Sequence, residues 1–185
     1  MIEVRNYDPA WHDRFEALRS EYAAALEAAA VPVRSIEHVG STSVPGLAAK
    51  PIIDIDIVVD PPDVEAAAAV LLALGFEPEG ELGIPQRWAF RPPDRLAGTN
   101  TYVIVAGSLS LRNHLAVRDT LRADAGLRAE YGDVKKRVGA VAADIYEYGA
   151  GKNAVIQRIL AAVGLSDDER ASIDGNKVPV RDRRH

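Results

Sequence analysis

The chain contains no cysteine. That excludes disulfides, thiol catalysis and cysteine-ligated zinc, and it suits a reducing compartment. There is no surplus of basic charge either. Lys and Arg total 22 against 27 Asp and Glu, for a net charge of −5. Broad nonspecific binding of nucleic acid is therefore not expected, although a local basic groove is compatible with that balance. Long apolar runs are missing as well. The oiliest stretch, 66–76, is too short to span a bilayer, and the opening Met1-Ile2-Glu3-Val4-Arg5-Asn6 lacks the apolar core of a secretory signal. These absences predict a soluble cytoplasmic protein with no membrane partner.

Several familiar chemical signatures are also missing. A Walker A loop needs G-x4-G-K-[ST]. The stretch 40–46 has one residue too many and is followed by Leu47. Gly151-Lys152 has Tyr146 where the first glycine belongs and Asn153 in place of Ser or Thr. There is no H-E-x-x-H, and Ser43 is not in a G-x-S-x-G elbow. No internal repeat or low-complexity segment occurs.

What is present is an ordinary globular composition, 48% hydrophobic and 26% charged in 185 residues. A chain of this size buries about 70% of its unfolded surface, so no metal or disulfide staple is required. Asp8-Pro9 opens a helix whose stripe is Trp11, Phe15, Leu18, Tyr22, Leu26 and Ala29, ending before Pro32. Strands are predicted over 33–39, 52–59, 86–91 and 99–105. A helix runs from Asp63 to Leu74, with a connection over 76–85. From Ser108 the periodicity turns helical, with a break at Gly149-Ala150-Gly151. The order predicts an α+β fold: a mixed β-sheet core over 33–106, flanking helices, and a C-terminal helical portion over 108–164. The whole reads as one domain over 1–165, followed by a polar, flexible tail over 166–185.

The most informative stretch is 36–59. It reads as a strand, a Gly/Ser/Pro turn and a second strand, Ile52-Ile53-Asp54-Ile55-Asp56-Ile57-Val58-Val59. Side chains alternate along a strand, so Asp54 and Asp56 share one face, roughly 7 Å apart, and the isoleucines take the other. Two acids on an otherwise buried strand need a cation, a hydrogen-bond network or water. Magnesium takes oxygen ligands and usually keeps substrate phosphates, so Asp54 and Asp56 can supply a protein's share of its shell and act as the catalytic acids. Gly40 and Ser41 offer unobstructed backbone amides for phosphate. The alternative is a strand face neutralised by Lys50 or an arginine. His38 beside the turn is either a packed, hydrogen-bonded histidine or part of the site. Lys50 is placed to meet phosphate or to counter the aspartates.

The run Glu37-His38-Val39-Gly40-Ser41-Thr42-Ser43-Val44-Pro45-Gly46-Leu47-Ala48-Ala49-Lys50-Pro51-Ile52-Ile53-Asp54 closely resembles the signature of the GrpB family, also called UPF0157. Tyr7-Asp8-Pro9-Ala10-Trp11 and Phe15 resemble that family's start. Leu115-Ala116-Val117-Arg118-Asp119, Leu121-Arg122, Tyr131, Lys135, Tyr148 and Lys152 resemble its helical half. The resemblance covers about 2–163. It implies the nucleotidyltransferase superfamily, with its polymerase-β-like core. It does not bring a reaction with it. That superfamily usually draws a third carboxylate from a neighbouring strand, whereas Thr99-Asn100-Thr101-Tyr102-Val103-Ile104-Val105 contains no acid. Where GrpB proteins typically carry T-H-H-L-H-V, this chain keeps only Thr99.

Arg112, His114, Arg118, Asp119 and Arg122 fall on one predicted helix, with His114, Arg118 and Arg122 on one face. That face is either solvated or a binder of phosphate. Lys152 follows the glycine break and is a further candidate. The sequence therefore predicts a Mg²⁺-dependent nucleotidyltransferase-like protein acting on a nucleoside triphosphate and a small-molecule or protein acceptor. The alternative is a non-catalytic module that binds a nucleotide or phosphorylated small molecule on the same fold. Family fusions to dephospho-coenzyme A kinase imply a link to coenzyme A metabolism.

Overall fold

Ile53, Ile55 and Ile57 are fully buried, and their packing decides which way the central strand faces. In the computed structural model, which describes residues 2–175, strand β2 spans Ile53–Val59. Its isoleucine face packs on α1 (Ala10–Ala28) through Trp11, Phe15, Leu18, Tyr22 and Leu26, and on α2 (Val64–Ala73) through Ala67, Val70 and Leu71. The α1 residues are the stripe the helical periodicity predicts, without Ala29, which caps the helix and is exposed. Asp8 starts α1 by accepting from the Ala10 amide at 2.9 Å.

The sheet has five strands in the order β1-β2-β5-β4-β3. Strand β1 (Ser35–Val39) runs antiparallel to β2, and β5 (Thr99–Val105) runs parallel to it. Strands β4 (Arg87–Arg91) and β3 (Glu77–Gly80) extend the sheet in antiparallel fashion. Residues 76–85, read from sequence as a connection, thus contain a strand. Pro78 masked it. Proline is tolerated in an edge strand because its missing N–H is not needed there, and β3 is the edge.

The opposite face of the sheet carries α3 (Leu109–Ala123), α4 (Ala125–Val141), α5 (Ile145–Ala162) and α6 (Asp167–Gly175). A second core forms there from Val44, Leu47, Leu121, Tyr131, Val155 and Ile159. Two sequence expectations are corrected here. The glycines at 149–151 do not break a helix but lie inside α5. A Cβ at Gly151 would come within 2.6 Å of the Val138 side chain, so glycine is what lets α4 and α5 approach. The residues from 166 onward, read as a flexible tail, form α6 as far as Gly175. Ser166 Oγ accepts from the Glu169 amide and Glu169 Oε2 accepts from the Ser166 amide, a reciprocal cap. Arg112 of α3 pairs with Glu169. The rest of the predicted tail lies outside the described residues. Among the described residues no helix is long and apolar enough to cross a membrane.

Candidate functional site

The strand register fixes the site. Asp54 and Asp56 project from β2 away from the isoleucine core, toward α3 and α4. Opposite them on β5 stand Asn100 and Tyr102, and on β1 Val39 and Glu37. Asn100 Nδ2 donates to Asp54 Oδ1 at 2.7 Å. The other Asp54 oxygen lies against Gly40, where a Cβ would overlap it; with φ +69°, this position requires glycine twice over. Burial raises the Asp54 pKa, opposed by the Asn100 hydrogen bond and the charges of His114 and Lys50.

Asp56 is fully buried. Its Oδ2 accepts from His114 Nδ1 at 2.7 Å, while its Oδ1 is buried with no hydrogen-bond partner. Burial acts to lower the His114 pKa, but the charge and hydrogen bond of Asp56 outweigh it and the net shift is upward. His114 therefore orients Asp56 and offsets part of its charge. An orphaned carboxylate oxygen beside a second, desolvated carboxylate fits one oxygen-preferring divalent ion that completes its shell with substrate oxygens. It does not fit two. No three His, Asp or Glu side chains converge as a ready-made metal site among the described residues, and the β5 position facing Asp54 is an amide.

Asp54 opens onto a cleft of about 280 Å³, which Asp56 does not line. Its lining includes Gly40, Ser41, Asp54, Asn100, Arg118 and three lysines, Lys50, Lys135 and Lys152. The amides of Ser41 and Thr42 open the short 3₁₀ turn Ser41–Ser43, so they have no acceptor inside it. Lys152 Nζ sits 4.1 Å from the centre of the Tyr148 ring, and Lys50 Nζ 5.8 Å from the same ring. Lys135 is only 2% exposed and lies over Tyr131. Its burial, reinforced by Lys152 and Lys50 and opposed by Asp54, lowers its pKa to about 6.

Sequence reasoning missed Lys135 as a site residue. A signal was present: it falls four residues after Tyr131, on the buried side of α4, where an apolar side chain is expected.

Three candidates take other places than expected. His38 pairs in register with Ile55 and so faces the α1 side, not the cleft. It stacks on Phe15 with ring centroids 4.5 Å apart. Thr42 Oγ1 donates to the Ile52 carbonyl at 3.0 Å, so the His38 Nε2–H donates to Thr42 Oγ1, also at 3.0 Å. Burial, with help from Arg122, holds the His38 pKa down at about 4. It is a neutral, packed histidine that braces the turn. Arg122 clamps that turn by donating twice to the Ser43 carbonyl, at 3.0 and 2.7 Å, and does not line the cleft. Arg118 does line it, but its guanidinium is held by Glu37 at 2.7 Å, Asp119 at 2.7 Å and the His38 carbonyl at 3.2 Å. The predicted cationic face of α3 is real. Its first task is to fix the helix to β1, β2 and the turn.

A family model described as GrpB protein matches residues 1–162. The chain belongs to the GrpB family. A UPF0157 protein of Streptomyces coelicolor is 36% identical over 89% of this chain and 86% of its own length. A Pseudomonas aeruginosa UPF0157 protein is 38% identical over 86% of this chain and 66% of its own. The crystal structure of the conserved protein GrpB from Enterococcus faecalis superposes with a TM-score of 0.73 at 28% identity, covering 87% of this chain and 99% of that one. The GLD-2/RNP-8 complex gives a TM-score of 0.57 at 13% identity, covering 95% of this chain and 70% of that chain. Cid1, described as having RNA terminal uridylyl transferase activity, gives 0.54 at 17%, covering 80% and 49%. At these last identities the likeness establishes the nucleotidyltransferase fold alone.

In this GrpB-family chain, Asn100→Asp sets two carboxylates face to face at the β2–β5 register. Without metal the variant is expected to melt several degrees below wild type, since like charges destabilise. Added Mg²⁺ is expected to recover most of that loss, and thermal melts in EDTA and in Mg²⁺ read it directly. A variant whose melting point ignores Mg²⁺ would mean that no ion enters between these strands.

Proposed function

We propose that this protein transfers a nucleoside monophosphate from a nucleoside triphosphate to a hydroxyl or phosphate acceptor on a small molecule or protein. The observation that carries this reading is the polarity of the cleft: Asp54, with the buried Asp56 two residues along the same strand face, in one lining with Lys50, Lys135, Lys152 and the Gly40–Ser41 turn. A triphosphate matches acids and lysines together only in the company of a divalent cation. Asp54 and Asp56 would hold Mg²⁺, which when bound neutralises phosphate charge and polarises the reacting phosphoryl group.

The remaining work belongs to the chain. Asn100 and His114 each hold one oxygen of an aspartate; the second Asp54 oxygen lies beside Gly40, and the second Asp56 oxygen is left for a metal to satisfy. The lysines receive the phosphate chain and take up the charge that grows on the departing pyrophosphate. Arg118, held by Glu37 and Asp119, lines the cleft and keeps its shape without having to reorganise. The proton lost by the acceptor passes to water, because Lys135, once phosphate enters, is protonated and serves as a donor.

Pyrophosphate release from nucleoside triphosphates across an acceptor panel tests this. Release is expected with Mg²⁺ and not with EDTA. Asn100, standing where a third acid would be, favours a second reading, a binding module without turnover. Nucleotide binding indifferent to Mg²⁺, with no pyrophosphate from any acceptor, would decide for it.

A further inference from the structure

Beside the lysine cleft lies a second chamber of about 300 Å³, and the two share Gly40, Val117, Tyr131 and Lys152. Its other walls differ in character. Ile84, Ile156 and Ile173 supply apolar surface, Asn113 and Asn153 amides and His114 an imidazole, and no carboxylate lines it among the described residues. Ile173 comes from α6. The segment whose composition reads as a tail is therefore one wall, held there by the Arg112–Glu169 pair.

Two further features call for an occupant. Asn113 Oδ1 is buried without a hydrogen-bond partner, whereas buried side-chain oxygens are normally satisfied. Gly149 lies inside α5, where glycine weakens a helix relative to alanine. A Cβ there would meet nothing within 4 Å, so close packing does not account for it. The space it leaves belongs to the chamber.

We propose that this chamber takes the nucleobase of the nucleotide whose phosphates occupy the lysine cleft, a planar uncharged ring. The inference rests on the nucleotide reading above and adds the site for the base. Mostly apolar walls with a few polar groups suit a planar ring. The Asn113 amide, a lining group of the chamber, carries both donors and an acceptor for the polar edge of a ring.

Calorimetry with Mg²⁺ tests the assignment, comparing the common nucleoside triphosphates with inorganic tripolyphosphate on wild type, Gly149→Leu and Asn113→Leu. Wild type is expected to bind at least one nucleoside triphosphate roughly tenfold more tightly than tripolyphosphate, the gain from about one stacked or hydrogen-bonded base. Gly149→Leu fills the chamber and Asn113→Leu removes the acceptor. Each is expected to erase that preference. Tripolyphosphate binding by the same variants shows whether the lysine cleft is still formed. Equal affinities in wild type, or a Gly149→Leu protein that keeps the full preference, would overturn the chamber assignment and leave the phosphate reading standing. Binding of neither ligand to wild type would overturn both.

Discussion

Replacing Asp54 with asparagine is expected to remove Mg²⁺-dependent pyrophosphate release while making the metal-free protein more stable. The two effects have one cause. Asp54 is held in a desolvated position against Gly40, and burial raises its pKa. Between the unfolded carboxylate value and the raised folded one, the folded state binds more protons than the unfolded state. Stability therefore falls as pH rises through that window, and at neutral pH the buried charge is a net burden. Asparagine carries no charge and still offers a carbonyl oxygen to Asn100 Nδ2. Activity goes the other way. Metal-assisted charge stabilisation is worth several kcal/mol. At 1.36 kcal/mol per tenfold, losing it lowers the rate by about a thousandfold. Pyrophosphate assays and thermal melts in EDTA read the two halves separately. A variant that melts lower and turns over normally would make Asp54 a structural partner of Asn100 and nothing more.

That combination shows how much of the site the sequence could carry. The alternation Ile53-Asp54-Ile55-Asp56-Ile57 is legible because a strand has a period of two, and the structure puts the isoleucines on α1 and α2 and the acids on the other side. His38 was not legible in the same way. Its face depends on the pairing register of β1 with β2, and a shift of one residue would have turned it into the cleft. Arg118 and Arg122 were correctly placed on one helical face. Their partners, Glu37 and the Ser43 carbonyl, are distant in sequence, so the distinction between binding a ligand and bracing the turn is a tertiary property.

The helical half was misread where one residue type serves two purposes. Glycine at 151 admits a neighbouring helix and glycine at 149 opens a chamber, yet both look like helix breakers. Helix α6 has too few apolar residues to announce itself by periodicity. Its signal was the spacing of Ser166 and Glu169, which the structure shows as a reciprocal cap.

Lys135 was the largest omission, and Lys135→Met is expected to stabilise the empty protein and weaken its hold on phosphate. The lysine is buried on α4 with Tyr131 beneath it; Lys50 and Lys152 act on it as like charges and Asp54 alone as an opposite one. Its pKa falls to about 6, against 10.5 for an unhindered lysine. Between those values the unfolded chain holds a proton that the folded one does not. Each pH unit across that window then favours folding by about 1.4 kcal/mol. Wild type should gain on Lys135→Met by as much as ~4 kcal/mol between pH 6 and pH 9, with the variant ahead at the acid end, where the folded protein carries a buried charge. Denaturant titrations at several pH values measure that difference, and subtracting the variant cancels every other titrating group. For phosphate the sign reverses. An entering phosphate chain supplies the negative charge the amine lacks, so Lys135 binds a proton and becomes a charged donor. Losing such a hydrogen bond costs about 1.5–3 kcal/mol, or roughly ten- to a hundredfold in tripolyphosphate affinity. A stability difference that stays flat with pH would mean that Lys135 keeps its proton in the folded state. Unchanged tripolyphosphate binding would remove it from the cleft's chemistry. Both changes together, in opposite directions, are what a residue kept for its ligand at the expense of the fold should show.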